Sequence, residues 1–161
     1  MMPPGLALAS HAAGDATTLG ELTGGMVTFL FTDIEGSTRL LRALGDGYPA
    51  VLLRQRELIV RAAEAHEGHA FGTEGDAVFV AFHDAPGALA AAAEAQRALA
   101  SEPWPTADPV RVRMGIHTGE AARFGDGDYV GLSLHETARI AAAGHGSQVL
   151  VSAATAALAA G

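Results

Sequence analysis

The run Met26–Phe31 (MVTFLF) constrains this chain more than any other feature. Six apolar and β-prone residues ending at Thr32-Asp33 are too short for a core helix and fit a strand buried on both faces. Asp33-Ile34-Glu35-Gly36-Ser37-Thr38 breaks the run and supplies N-cap residues for a helix starting near Arg39. A buried strand feeding a helix must be covered by further layers, and the rest of the chain supplies them. A helical region runs to about Glu67, interrupted around Gly45–Pro49. His69–Thr73 and Ala77–Phe82 read as a hairpin turned by Glu74-Gly75-Asp76. Asp84–Ser101 is an Ala-rich helix, and residues 102–109 (EPWPTADP) form a proline-marked connector whose Trp104 should pin that helix to the core.

Val110–His117 alternates as a strand should, placing Arg111 and Arg113 on one exposed face. Glu120–Phe124 and Tyr129–Val130 flank a GDGD turn as a second hairpin. Leu132–Ala143 is helical, Gln148–Val151 a short strand, and the last residues a helical tail. The order β-α-β-β-α-β with C-terminal additions predicts an α+β, ferredoxin-like βαββαβ core with an extra hairpin, helix and strand. Residues 1–25, rich in Pro, Gly, Ala and Thr, read as a flexible leader, leaving one domain over 26–161.

That topology makes the first and third strands antiparallel neighbours, so Asp33 and Asp76 should converge. Converging carboxylates suit Mg²⁺ or Mn²⁺, and a helix start beside them would aim backbone N–H groups at phosphates. Each aspartate also has a plain reading, as a helix cap and as a turn residue.

Composition narrows the chemistry. All 10 basic residues are arginine, against 18 acidic ones, and there is no cysteine. Without lysine, Schiff-base catalysis and a Walker-type P-loop are excluded; without cysteine, so are thiol nucleophiles, disulfides and thiolate metal sites. A net charge of -8 argues against nucleic acid as a partner, while metal-assisted nucleotide binding stays open. No apolar run approaches a membrane span, and the N-terminus makes a poor signal peptide, so a cytoplasmic location is expected. His66 and His69 form an H-x-x-H read as structural, and His117 reads as a satisfied strand-end residue or, near the site by topology, as a catalytic one.

The string VTFLFTDIEGSTRLL resembles the opening of class III nucleotidyl cyclase catalytic domains, the adenylyl and guanylyl cyclases. EGDAVFVAF, RMGIHTGE and GDYVG…ARIAAAGHGSQVLVS follow in the family's order, so the resemblance runs from about Val27 to Leu150. It is nearest the bacterial branch, and it implies conversion of a purine nucleoside triphosphate, ATP before GTP, to the 3′,5′-cyclic nucleotide and pyrophosphate. By resemblance, Asp33, Asp76 and the Ile34 carbonyl hold two Mg²⁺ or Mn²⁺ ions. Ile34, Glu35, Gly36, Ser37 and Thr38 receive the β- and γ-phosphates, and Arg139 stabilises the transition state. His135 stands where the family orients the ribose with asparagine, or is a plain helix residue. Asp128, or Asp126 if the turn is shifted, matches the family's base-reading aspartate, whereas Gly72 replaces its lysine partner. A second family lysine lies in C-terminal strands that this sequence does not include. The family's sites form between two copies, which predicts a homodimer with shared active sites, with a regulatory domain or partner outside this chain. The other reading is a cyclase-homology module that binds nucleotide or dimerises to regulate a partner.

Overall fold

The computed structural model describes residues 23–161 apart from residue 126. The leader read over residues 1–25 lies outside the described residues up to 22. Thr23–Gly25 belong to the first strand, paired with Arg123–Ala121.

Six strands form one sheet: β1 (Thr23–Ile34), β2 (His69–Glu74), β3 (Ala77–Phe82), β4 (Val112–Phe124), β5 (Asp128–Val130) and β6 (Val149–Val151). They are ordered β2-β3-β1-β4-β5, and β6 pairs parallel with the start of β4. The helices are α1 (Ser37–Leu44), α2 (Tyr48–Ala65), α3 (Ala85–Ser101), α4 (Leu132–Ala142) and α5 (Ala153–Ala160). The α+β, ferredoxin-like arrangement expected from the element order is present, with β1 between β3 and β4 and antiparallel to both. No described helix is long and apolar enough to cross a membrane.

Side-chain alternation along β1 divides the core into two layers. Leu30 faces α2 and α3, where it joins Val78, Val80 and Ile116 of the sheet and Ile59, Ala92 and Leu99 of the helices. Phe29 and Phe31 face the other way, onto Leu134, Ala138 and Ala141 of α4. Beyond α4 that second layer continues as an aromatic cluster in which Phe29, Phe71 and Tyr129 meet edge to face. Trp104 donates its indole N–H to the Leu99 carbonyl at 3.0 Å, pinning the end of α3 as its place in the connector suggested.

Two features differ from the sequence reading. β4 is one 13-residue strand rather than two short ones. Thr118 and Gly119, which look like a break, stay paired with Thr28 and Val27, because pairing to the long β1 outweighs their weak strand preference. In addition, α1 begins at Ser37 with Gly36 as its N-cap, in left-handed backbone (φ 67°) and without a side-chain cap. Glycine enters that conformation without the Cβ penalty that Asp33 or Glu35 would meet.

Close approach sets the place of α4. A Cβ added to Gly115 would lie 2.5 Å from the Ala141 nitrogen, and one added to Gly119 would lie 2.2 Å from Ser133 Oγ. Two missing side chains on one face of β4 therefore let α4 lie almost backbone-to-backbone on the sheet.

Candidate active site

The site begins at the end of β1. Thr32 is opposite Val78 of β3 and Asp33 opposite Arg113 of β4, so the chain leaves the sheet between two neighbours. The turn between β2 and β3 brings Asp76 to the same place, where its Oδ2 accepts the Ile34 N–H at 2.5 Å. The convergence of Asp33 and Asp76 argued from topology is thus met. α2 holds the turn from below: Arg56 donates to the Gly75 carbonyl, and Gln55 donates to the Asp76 carbonyl at 3.5 Å.

Burial pushes the Asp76 carboxyl above its ordinary range, and the charge of Asp33 pushes the same way. The backbone N–H groups of Ile34 and Asp76, and the Arg113 guanidinium, oppose that shift without cancelling it. A half-buried acid held up by a neighbouring acid is a place where added positive charge is favourable. Tyr48, at the start of α2, is also pushed upward, chiefly by burial and then by Asp76.

Arg113 departs from the sequence reading. Instead of lying on an exposed strand face, it forms a two-pronged ion pair with Asp33, Nε to Oδ1 and Nη2 to Oδ2, both at 2.7 Å. Asp33 holds its guanidinium firmly charged through those bonds. Alternation along β4 placed Arg113 correctly on a face; the register that sets it opposite Asp33 is a long-range property with no local signal. Arg56, Gln55 and Tyr48 were missed for the same reason.

Beyond Asp33 and Ile34, Glu35 and Gly36 are exposed, and Ser37 and Thr38 open α1. With no side chain capping that helix, its first-turn N–H groups are open to an anion. A cleft of about 730 Å³ runs beside the turn, between α1 and the connector from Pro105 to Arg111.

The remaining candidates are elsewhere in the chain. His135 and Arg139 lie one turn apart on α4, and no hydrogen bond or ion pair joins either to the turn among the described residues. Arg139 is exposed, while His135 is half-buried with its Nδ1 lacking a hydrogen-bond partner among the described residues. Asp128 pairs with Phe124 at one end of β4, and Asp33 with Arg113 at the other. Asp126 lies outside the described residues. Gly72, on β2, has only a Phe79 ring carbon, at 3.8 Å, near the position of a Cβ. His66 binds Glu94 at 2.8 Å, so the H-x-x-H is structural as read. Among the described residues no group of three or more His, Cys, Asp or Glu could hold a metal. Asp33 and Asp76 meet there as a pair of carboxylates.

Fold and site together define an α+β domain that gathers two carboxylates and open helix-start amides where β1 leaves the sheet. Known proteins narrow this further. An uncharacterised protein of Mycobacterium tuberculosis is 35% identical over 133 residues, covering 81% of this chain and 44% of that protein. An adenylate cyclase of Podospora anserina is 31% identical over 166 residues, covering 84% of this chain and 8% of that protein. A solved structure of adenylate cyclases from Trypanosoma brucei superposes with a TM-score of 0.75 at 27% identity, over 81% of this chain and 74% of that one. No protein-family model matches. The chain is similar in sequence and fold to class III adenylyl and guanylyl cyclase catalytic domains. It spans less than half the length of the mycobacterial relative.

Proposed function

We propose that this chain is a nucleotidyl cyclase domain, acting on a purine nucleoside triphosphate between two copies of itself. The observation that carries the reading is the meeting of Asp33 and Asp76 beside the uncapped start of α1. In the reaction the ribose 3′-oxygen bonds to the α-phosphorus, the bond to the bridging oxygen breaks, and pyrophosphate leaves. The hydroxyl proton passes to solvent. Mg²⁺ or Mn²⁺, held by Asp33, Asp76 and the Ile34 carbonyl, would lower the pKa of that hydroxyl and polarise the phosphoryl group. The chain's own work is positioning and charge. The turn from Ile34 to Thr38 receives the β- and γ-phosphates, which meet the open N–H groups at the start of α1, and Arg139 meets the charge that grows at the α-phosphate. His135, one helical turn before Arg139, would bind the ribose.

The length of β4 supports the dimer. Asp33 and Asp128 flank opposite ends of a 13-residue strand, roughly 40 Å at ordinary strand rise. One nucleotide cannot bridge that span, so both acids serve one substrate only if they come from different copies running antiparallel. Exposed Leu132 and Val130 near the half-buried Tyr129 and Phe71 offer an apolar surface for that contact.

The deciding experiment offers ATP and GTP separately to purified protein in Mn²⁺, with Asp33→Ala as control. Cyclic product from wild type, and none from the control, is the expected result. A folded dimer yielding no cyclic nucleotide from either would leave the second reading, a homology module that binds or dimerises. One observation favours that second reading: Arg113 already engages both oxygens of Asp33. Base choice has its own test. Replacing Gly72 by lysine, where a side chain has room, should raise the ATP-over-GTP ratio of kcat/KM by about ten-fold by restoring a partner for Asp128. An unchanged ratio would dissociate Asp128 from base reading.

A further inference from the structure

His117 occupies an unusual place. It stands on β4 between Gly115 and Gly119, the two glycines that admit α4. It is a long polar side chain within that close contact, and only 14% exposed. Its Nε2 lies 2.6 Å from Glu136 Oε2 on α4, and its Nδ1 lies 2.8 Å from Ser152 Oγ at the N-cap of α5. Glu136 follows His135 and precedes Arg139 by three positions on the same helix.

The contacts continue inward. Ser152 Oγ is 3.1 Å from Thr155 Oγ1, which is 2.9 Å from Thr118 Oγ1, itself 2.8 Å from Thr28 Oγ1 on β1. All three threonines are buried. β4 pairs with β6 as far as Ile116 and with β5 only from Ala122, so the chain of contacts threads the stretch where β4 has no neighbour on that side. It passes from the α2–α3 layer to the α4 layer.

A carboxylate can only accept, so Glu136 fixes the direction of the whole series. His117 donates from Nε2 and must accept at Nδ1 when neutral. Ser152 then donates to His117, Thr155 to Ser152, Thr118 to Thr155 and Thr28 to Thr118. Each hydroxyl has one proton and each is used once. Such a series is mutually polarising and has a single arrangement, unlike apolar packing, which can slide.

We infer that His117 is a positioning residue: with Glu136 it forms a strut that sets the rotation and height of α4 on the sheet, and hence where Arg139, three residues beyond Glu136, is presented. This rests on the cyclase reading for its kinetic consequence, though not for its structural one. The apolar contacts of α4 come from Leu134 near its start and from the small Ala138 and Ala141 further along, where they fix its distance from the sheet better than its register.

The test pairs kinetics with hydrogen exchange in the full chain. His117→Ala should lower kcat about ten-fold or more with KM for ATP within about two-fold, since substrate binding survives while the transition-state group is misplaced. His117→Gln, whose amide can still donate to Glu136, should recover most of the loss. Combined with Arg139→Ala, His117→Ala should add almost nothing, because both act through one group. Exchange of the α4 amides should quicken about ten-fold in His117→Ala while α2 and α3 hold theirs. Losses that multiply in the double variant, or unchanged exchange in α4, would overturn the strut. If wild type forms no cyclic product, the cyclase reading falls instead, and hydrogen exchange alone decides the strut.

Discussion

An equimolar mixture of Asp33→Ala and Arg139→Ala proteins, exchanged through monomers, is expected to recover about a quarter of wild-type cyclase activity. Each parent alone should retain less than about 1%, the usual consequence of losing a group that stabilises the transition state. The fraction follows from symmetry. Random exchange makes half the dimers mixed, and each mixed dimer has one site with both defects and one with neither. The physical basis lies in the single chain. Asp33 leaves β1 beside the start of β4, whereas Arg139 rides on α4, with no contact to that turn among the described residues. Parents that stay inactive when mixed, while exchange is shown by mass, would mean that each site is built within one copy.

Asp76→Asn should separate catalysis from stability, moving them in opposite directions. Loss of a metal-binding carboxylate should reduce kcat/KM at least about 100-fold. The fold, however, should gain. Burial, with help from Asp33, raises the Asp76 carboxyl in the native state. A group whose native pKa exceeds its unfolded value stabilises the fold most where it is protonated, below the unfolded value of about 3.9. That contribution disappears as pH rises through the native value. Asparagine stays neutral and can still accept the Ile34 N–H, so the variant should melt a few degrees higher than wild type near pH 7, with the gap closing in acid. Mn²⁺ should raise the melting temperature of wild type and leave the variant nearly unmoved. A variant that melts lower at pH 7, or gains equally from Mn²⁺, would show that Asp76 is a turn residue and nothing more.

Much of the architecture was readable because it rests on local chemistry. The apolar run at Met26–Phe31, the turn at Glu74-Gly75-Asp76 and the Ala-rich stretch before the prolines each announce one element, and those elements are where expected. Element order then implied which strands are neighbours, and with that the meeting of Asp33 and Asp76. The errors share a cause. β4 was divided at Thr118-Gly119 because those residues are weak strand formers in isolation, and only β1 alongside keeps them extended. Asp33 was expected to help cap α1; instead it turns to Arg113, leaving Gly36 to start the helix.

By itself the sequence determined the alphabet of this site. With arginine as its only permanent cation and no thiol, the chain is confined to carboxylates, guanidinium, imidazole, hydroxyls and backbone amides. Residue types and spacing also carried the family, since strand and turn preferences act over a few residues. Tertiary structure decided which of those groups face one another. Arg113 meets Asp33 across eighty positions, and Thr28 is tied to Glu136 through β4 and α5. Such pairings depend on register and on how closely a helix can approach a sheet, quantities summed over every contact in the fold and written in no short stretch of it.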